Sequence, residues 1–147
     1  MTVKVDFGDS IGCIIYDIPS QEEKTFLDNY WFCTGLFQLL QLNDILKLLN
    51  AILLENSVIF VGKQSAISTA ILGFNSLLYP FKWCHAIVPI LPLALIAMID
   101  APLPLIAGLT KKVYKEINLT RQEKSFKTWV FLETGKIEWS DDSKSMP

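Results

Sequence analysis

The chain has 147 residues, of which 51% are hydrophobic, 12% aromatic and only 19% charged. Ordinary soluble domains carry roughly 25% charged residues, so this composition excludes an intrinsically disordered chain and a coiled coil. The formal net charge of −2 excludes a nucleic-acid binder that works by bulk positive charge. Length and composition together indicate one unusually apolar globular domain, or a part of a domain that depends on a partner.

The three cysteines, Cys13, Cys33 and Cys84, are widely separated and form no Cys-x-x-Cys pair. An odd and scattered set argues against a disulfide framework and against a zinc ribbon. With His85 as the only histidine, the sequence also lacks the ligand spacing of a metal site. The first residues alternate polar with apolar and contain no apolar signal-peptide region. We therefore expect no metal, no cofactor and a reducing cytoplasmic compartment.

Charge is unevenly distributed along the chain. Only three formal charges, Lys63, Lys82 and Asp100, fall among the fifty-five residues 56–110. A stretch so poor in charge is either a membrane segment or a core whose strands are covered on both faces. The strongest membrane candidate, 86–109, contains four prolines, each of which removes a backbone donor that a spanning helix needs. We therefore expect a buried core and no transmembrane segment.

Hydrophobic periodicity predicts the elements in chain order. The first third contains two strands, a polar linker, a helix with a glycine break and a helix capped by asparagine: 3–7, 11–18, 19–24, 26–40 with Gly35, and 43–53 with Asn43. The middle contains short apolar strands and two helices, one capped by Ser65 and one opened by Pro92: strands 58–61, 85–88, 105–107 and 129–132, helices 65–79 and 93–99. The polar stretch 111–127 is part helix and part loop, and a turn at Thr134-Gly135 leads into a last strand. Strands that alternate with helices and are almost continuously apolar are typical of an α/β layered domain.

A search for catalytic motifs finds little chemistry. The turn Gly62-Lys63-Gln64-Ser65 lacks the upstream glycine of a phosphate-binding loop, so we interpret it as a strand-to-helix connection. Cys84 and His85 are adjacent and would point to opposite faces of a strand, which is poor geometry for a nucleophile and its base. Glu55 and Asp100 each interrupt an apolar run, so each is either exposed at an element's end or held by a buried partner. No catalytic constellation is predicted.

Four segments, in this order and spacing, resemble the central module of the DENN domain. They are Leu53-Leu54-Glu55 with Val58-Ile59-Phe60, Leu77-Leu78-Tyr79-Pro80-Phe81-Lys82-Trp83 with Pro89-Ile90-Leu91-Pro92, Ala101-Pro102-Leu103-Pro104 with Gly108, and the closing strand 130–137. The resemblance covers about residues 30–139. In the closing strand, Phe131-Leu132-Glu133 departs from the acidic pair that is usual in the family.

The resemblance implies an α/β fold, a three-layer sandwich with a central, mostly parallel sheet and helices on both faces. It also implies a role in regulating a Rab-family small GTPase by guanine-nucleotide exchange in membrane trafficking, with no cofactor. Such a protein is expected in the cytoplasm, peripheral to vesicle or organelle membranes. The resemblance implies that Tyr79, Trp83 and the prolines are mainly features of the core and turns. Lys82, Trp83, His85 and Asp100 are the candidate partner-binding residues.

The division that follows from the resemblance has three parts. Residues 1–30 are strands and a linker from an upstream lobe, 31–140 form the central module, and 141–147 are a disordered tail. About thirty residues are too few for the family's upstream longin-like lobe, so the chain is a fragment, a divergent minimal form, or a subunit whose missing lobe comes from another chain. In the last case we expect that lobe, or another protein subunit, as a partner. The alternative function is an exchange-inactive scaffold or interaction subunit of a larger complex that retains the DENN fold.

Overall fold

The computed structural model describes residues 2–6, 13–117 and 126–141. The strands in these residues are β1 Thr2–Asp6, β2 Cys13–Asp17, β3 Val58–Gly62, β4 Ala86–Val88, β5 Leu105–Thr110, β6 Thr128–Phe131 and β7 Lys136–Glu138. The helices are α1 Gln21–Asp28, α2 Thr34–Leu39, α3 Leu42–Leu53, α4 Gln64–Leu77 and α5 Lys111–Glu116. A π-helical turn, Asn29–Cys33, joins α1 to α2, and a 3₁₀ segment, Leu93–Asp100, lies between β4 and β5.

Five of the strands form one mixed sheet in the order β4-β5-β3-β6-β7. β4, β5, β3 and β6 run parallel to one another, while β7 runs antiparallel to β6. Parallel neighbours require crossover connections, and here α4 leads from β3 to β4 while α5 follows β5 on the way to β6. The predicted α/β class with a mostly parallel sheet is therefore confirmed. β1 and β2 form a separate antiparallel pair.

Both faces of the sheet are buried, which explains the apolar strands. Successive residues of a strand point to opposite faces, and β3 follows this rule. Val58 and Phe60 pack in a cluster with the buried sides of α2, α3 and α4. Ile59 and Val61 pack in a second cluster beneath the 3₁₀ segment and α5. The helices therefore lie on both faces, as the sequence predicted.

The first helical region does not break at Gly35, contrary to the prediction. Gly35 lies inside α2, where an added Cβ would come within 2.3 Å of Thr69 Cγ2 on α4. On the other side of this contact, a Cβ at Gly73 would lie 2.9 Å from the carbonyl oxygen of Phe32. The two glycines let the π-turn and α2 approach α4 closely, so Gly35 serves helix packing rather than a turn.

The predicted linker 19–24 is also wrong, because α1 begins within it at Gln21. Ser20 and Glu23 form a capping box, in which the Ser20 N–H donates to Glu23 Oε2 at 2.7 Å and the Glu23 N–H donates to Ser20 Oγ at 3.3 Å. The backbone hydrogen bond from Ser20 holds the pKa of the Glu23 carboxyl below its ordinary value.

The predicted caps of the next two helices differ from the structure. α3 begins at Leu42 after Gln41, and α4 begins at Gln64 after Lys63, with no side-chain cap at either residue. Asn43 and Ser65 therefore lie inside helices. Pro92 sits one position before the 3₁₀ segment rather than in its first turn. The predicted apolar strands of the sheet are confirmed to within a few residues at their ends.

The two edges of the sheet are short strands. β4 and β7 each contain three residues, whereas β5 in the interior contains six. On β7 the Lys136 ammonium group lies 2.6 Å from Glu138 Oε1, and this hydrogen bond raises the pKa of the lysine. The predicted tail 141–147 lies outside the described residues except for Asp141. The three-part division of the chain stays a prediction.

Candidate functional site

A first cleft separates the π-turn from the loop that follows α4. We call it the aromatic cleft; it encloses about 380 Å³ and is lined by Asp28, Asn29, Asn75, Ser76, Tyr79, Phe81, Lys82 and Trp83. Tyr79 is 71% exposed and Phe81 is 68% exposed. Large aromatic side chains exposed together are typical of surfaces that bind other proteins.

Trp83 anchors the loop between this cleft and β4. Its indole Nε1–H donates to the carbonyl oxygen of Ala86 at 3.3 Å. The indole ring meets the imidazole of His85 edge to face, with centroids 5.2 Å apart and planes at 74°. These two contacts place His85 directly behind the cleft wall.

His85 in turn contacts Glu55 at the end of α3. His85 Nε2 lies 3.2 Å from Glu55 Oε1, and the pair carries opposite charges when the imidazole is protonated. The two atoms are close, but their alignment does not make a hydrogen bond, so His85 Nε2 is buried without a hydrogen-bond partner. Trp83, His85 and Glu55 therefore form a line of side chains that leads away from the aromatic cleft.

Glu55 has an unusual backbone conformation, with φ at +59°. Its N–H donates to the Ile52 carbonyl at 2.9 Å, and the Asn56 N–H donates to the Ala51 carbonyl at 3.0 Å. These two bonds make a Schellman motif that ends α3, in which the left-handed position is normally glycine. A glutamate there costs roughly 1 kcal/mol of backbone strain, and such strain often marks a functional position.

A second cleft lies at the amino ends of β3, β5 and β6, beside this turn. We call it the amino-end groove; it encloses about 360 Å³ and is lined by Glu55, Asn56, Ser57, Asp100, Ala101, Pro102, Leu103, Pro104, Phe126 and Lys127. Ser57 Oγ accepts a hydrogen bond from the Leu105 N–H at 3.2 Å, which fixes the groove to the start of β5. Glu55 links the groove to the aromatic cleft through His85 and Trp83.

The four candidate residues therefore lie along one band of surface. Lys82 and Trp83 line the aromatic cleft, His85 lies between the two clefts, and Asp100 lines the amino-end groove. Lys82 and Asp100 do not share a cleft. Tyr79, interpreted from the sequence as a feature of the core and turns, has its side chain exposed in the aromatic cleft.

A third depression lies at the opposite, carboxyl end of the sheet. It encloses about 650 Å³ between the residues that follow β3 and those that follow β5: Gly62, Lys63, Gln64, Ser65, Thr110, Lys111, Lys112 and Glu133. Glu133 forms an ion pair with Lys111, so part of the positive charge is already balanced. The turn after β3, interpreted from sequence as a connection without phosphate-binding glycines, lies here.

The surface of α1 and the π-turn is strongly apolar. Phe26 and Tyr30 stack with centroids 6.5 Å apart, and both side chains, with that of Trp31, are mostly exposed. Cys33 at the end of the π-turn is a free thiol, as are Cys13 and Cys84. Partial burial raises the pKa of the Cys33 thiol, which makes it a weaker nucleophile at neutral pH.

In 2–6, 13–117 and 126–141 no group of three or more His, Cys, Asp or Glu side chains is placed to hold a metal ion. No single helix of these ranges is long and apolar enough to cross a membrane. The helical segments Glu22–Leu39 and Leu42–Leu53 are together long and apolar enough, but the chain bends by 116° between them.

The chain is similar to several known proteins over part of its length. These include DENN domain-containing protein 2B of Homo sapiens, 37% identical over 75 residues, or 50% of this chain and 7% of that protein. DENN domain-containing protein 2D of Homo sapiens is 31% identical over 85 residues, or 57% of this chain and 18% of that protein. Elicitor of plant defense protein 1 of Gibberella zeae is 34% identical over 90 residues, or 60% of this chain and 8% of that protein. The regions matched are thus less than a fifth of each of these relatives.

A family-wide comparison covers more of the chain than any of these single relatives. The family model of the DENN (AEX-3) domain matches residues 14–132, which include α1 to α5 and the whole parallel part of the sheet. The resemblance found in the sequence is therefore confirmed, and the chain belongs to the DENN domain family.

Proposed function

We propose that this chain is the central module of a DENN-type regulator that promotes guanine-nucleotide exchange on a Rab-family small GTPase, together with an upstream longin-like lobe. The observation that carries the proposal is the DENN domain match over residues 14–132. The DENN family is generally related to Rab exchange. Such a regulator would act in the cytoplasm at the surface of vesicles or organelles.

Exchange of this kind requires a binding surface rather than an acid or a base. An exchange factor binds the nucleotide-free GTPase more tightly than the loaded one, and the difference in affinity sets how far it displaces the nucleotide. The aromatic cleft supports this role, because Tyr79, Phe81 and Lys82 offer apolar area and one positive charge to a protein partner.

The second candidate function is a scaffold that keeps the fold and binds partners without accelerating exchange. One observation favours it. The closing strand carries Phe131-Leu132-Glu133 in place of the acidic pair that is usual in the family, and Glu133 is engaged with Lys111.

Release of fluorescent GDP from a panel of Rab proteins separates the two functions. We expect the chain to accelerate release from at least one Rab, alone or after a longin-like lobe is added in trans, and to bind the nucleotide-free form preferentially. Equal binding to the empty and GDP-loaded forms, with no acceleration in either condition, would contradict exchange and favour the scaffold.

A pair of charge reversals tests the position of the surface. Lys82 lines the aromatic cleft, while Lys47 is an exposed lysine on α3. Lys82→Glu should slow the accelerated release about tenfold because it places a negative charge beside the aromatic side chains. Lys47→Glu is the matched control and should leave the rate within about twofold. Equal effects of the two variants would place the contact elsewhere.

A further inference from the structure

The depression at the carboxyl end of the sheet lies where two neighbouring strands send the chain to opposite faces. α4, which follows β3, packs on the face that contains Phe60, whereas α5, which follows β5, packs on the face that contains Ile59. The two turns therefore diverge and leave a space of about 650 Å³ between them, which we call the carboxyl-end crevice. In open α/β sheets, ligands bind in crevices of this kind, outside the carboxyl ends of the strands.

The register of the two strands brings lysines together in this crevice. Gly62 and Thr110 are paired residues of β3 and β5, so Lys63 and Lys111 leave the sheet side by side. Neighbouring parallel strands lie about 4.8 Å apart, which keeps the two backbones close. Lys112 is the next residue and also lines the crevice. Like charges held so close repel one another, and an anion bound between them would relieve the repulsion.

The chain supplies only part of the negative charge that these lysines need. Glu133, the one carboxylate among the described residues of the lining, forms an ion pair with Lys111. Lys63 and Lys112 are exposed, and their ammonium groups have no ion-pair or hydrogen-bond partner among the residues that the structure describes. Two positive charges are therefore free at the crevice, in a chain whose formal net charge is −2.

The rest of the lining narrows the class of ligand. Gln64 and Ser65 add an exposed amide and an exposed hydroxyl beside Lys63. Three lysines and a single carboxylate, already paired with Lys111, disfavour a metal cation. A phosphate monoester carries a charge of about −1.5 to −2 at pH 7 and three strong acceptor oxygens, which match two free ammonium groups and two neighbouring donors.

We propose that the carboxyl-end crevice binds the phosphate monoester group of a small molecule or of a lipid headgroup. Lys63 and Lys112 bind the phosphate oxygens from the two turns, while Lys111 stays paired with Glu133. The turn after β3 lacks the glycines of a phosphate-binding loop, so side chains of two turns replace the backbone of one loop. The site is separate from the aromatic cleft, and its contacts do not require a GTPase.

Phosphate binding to the full chain is measured by NMR at constant ionic strength. The first probe is inorganic phosphate, and acetate, which carries a single charge, is the control. We expect phosphate to shift the backbone amide signals of residues 63–65 and 111–112 saturably, with a Kd of about 1 mM or below, and acetate to bind at least about tenfold more weakly. Equal responses to the two anions, or no saturable response to phosphate up to about 20 mM, would overturn the proposal.

Two further probes identify the source of the phosphate. Glycerol 3-phosphate is a soluble monoester, and phosphatidic acid in phosphatidylcholine vesicles presents the same group on a membrane. Tighter binding of glycerol 3-phosphate than of the vesicles would support the site with a small molecule as its ligand. Sedimentation with phosphatidic acid vesicles, but not with phosphatidylserine vesicles, would support it with a lipid headgroup. Failure of both probes would overturn the proposal even if inorganic phosphate binds.

Charge variants locate the site. Lys63→Gln and Lys112→Gln each remove one free charge and should weaken phosphate binding about threefold to tenfold. Glu133→Gln releases Lys111 and should tighten it about threefold. Lys47→Gln, at an exposed position of α3, is the matched control and should bind as the unchanged protein does. Unchanged affinity in all three crevice variants, with thermal unfolding showing that they are folded, would refute the assignment, whatever the outcome of the GDP-release assay.

Discussion

Two helical regions of this chain carry large apolar side chains and place them differently. α4 buries five residues, Ile67, Ala70, Ile71, Gly73 and Phe74, against the sheet and α2. α1 and the π-turn dock on α4 by close backbone approach at Gly73, so their aromatic side chains Phe26, Tyr30 and Trp31 remain outside. The apolar residues of the chain therefore fall into two groups, a buried core and an exposed apolar surface of the kind that binds other proteins.

The largest expected effect compares one substitution in the two regions. Phe74 is fully buried and its ring lies 5.6 Å from that of Phe60, so Phe74→Ala should lower the free energy of unfolding by about 3–5 kcal/mol. Phe26 is mostly exposed, so Phe26→Ala should change it by less than about 0.5 kcal/mol. Urea unfolding of both variants measures the difference. Similar losses would mean that the aromatic surface of α1 belongs to the core.

Glycine substitutions test the same contrast through steric clashes. An added Cβ at Gly108 would lie 2.0 Å from Ile67 Cγ2 and 2.1 Å from the Pro89 carbonyl oxygen, and that backbone atom cannot move freely. Gly108→Ala should therefore cost about 3 kcal/mol. At Gly35 the added Cβ would lie 2.3 Å from Thr69 Cγ2, which belongs to a side chain that can give way more than backbone, and alanine is the better helix former. Gly35→Ala should therefore cost less than Gly108→Ala, about 1–2 kcal/mol. A larger loss at Gly35 than at Gly108 in denaturant unfolding would reverse the comparison.

Glu55→Gly should stabilise the chain, unlike the two preceding changes in the core. Glycine removes the left-handed strain, so we expect the free energy of unfolding to rise by roughly 1 kcal/mol. Loss of the contact with His85 should offset little of this gain, because the Glu55 side chain is 65% exposed and solvated. Glu55→Gln is the control that keeps the strain, and thermal unfolding should place it near the unchanged protein. A destabilised Glu55→Gly variant would show that the carboxylate supports the fold itself.

The smallest effect concerns the capping box of α1. Because the pKa of Glu23 is lowered in the folded chain, its stabilising effect is present above the carboxyl's unfolded pKa and is lost as pH falls through the lowered folded value. NMR signals of α1 should therefore shift toward unfolded positions in acid before those of α4 do. Ser20→Ala removes the side-chain cap and should weaken α1 locally, but it keeps the backbone N–H that binds Glu23. Glu23→Gln is therefore the variant that should remove this pH dependence, because an amide does not ionise. An identical acid response in the variant would assign the effect to other groups.

The parts of the fold that sequence predicts are those where burial decides the pattern. β3 is apolar at every position because helices cover both faces, and α4 repeats its apolar residues at helical spacing. The start of α1 was missed although Ser20 and Glu23 stand at capping-box spacing, because their polarity was interpreted as a linker. Gly35 was misplaced because its role depends on Thr69, a residue of another helix.

The candidate site was harder to predict because its contacts cross the chain. Lys82, Trp83, His85 and Asp100 come from one charge-poor stretch, but the link between them runs through Glu55 at the end of α3. No spacing rule joins a residue at the end of one helix to a loop thirty positions later. The amino-end groove likewise becomes visible only when the starts of β3, β5 and β6 are brought together.

The three-residue edge strands have a consequence for solubility. A long, flat, unpaired edge is a template on which other chains add strands and aggregate, and natural proteins avoid this with short or charged edges. β4 and β7 are both short, and β7 carries the paired charges of Lys136 and Glu138. The edges of this sheet therefore offer few backbone groups on which a fibril could grow. The chain can expose apolar side chains without extending its sheet into another copy.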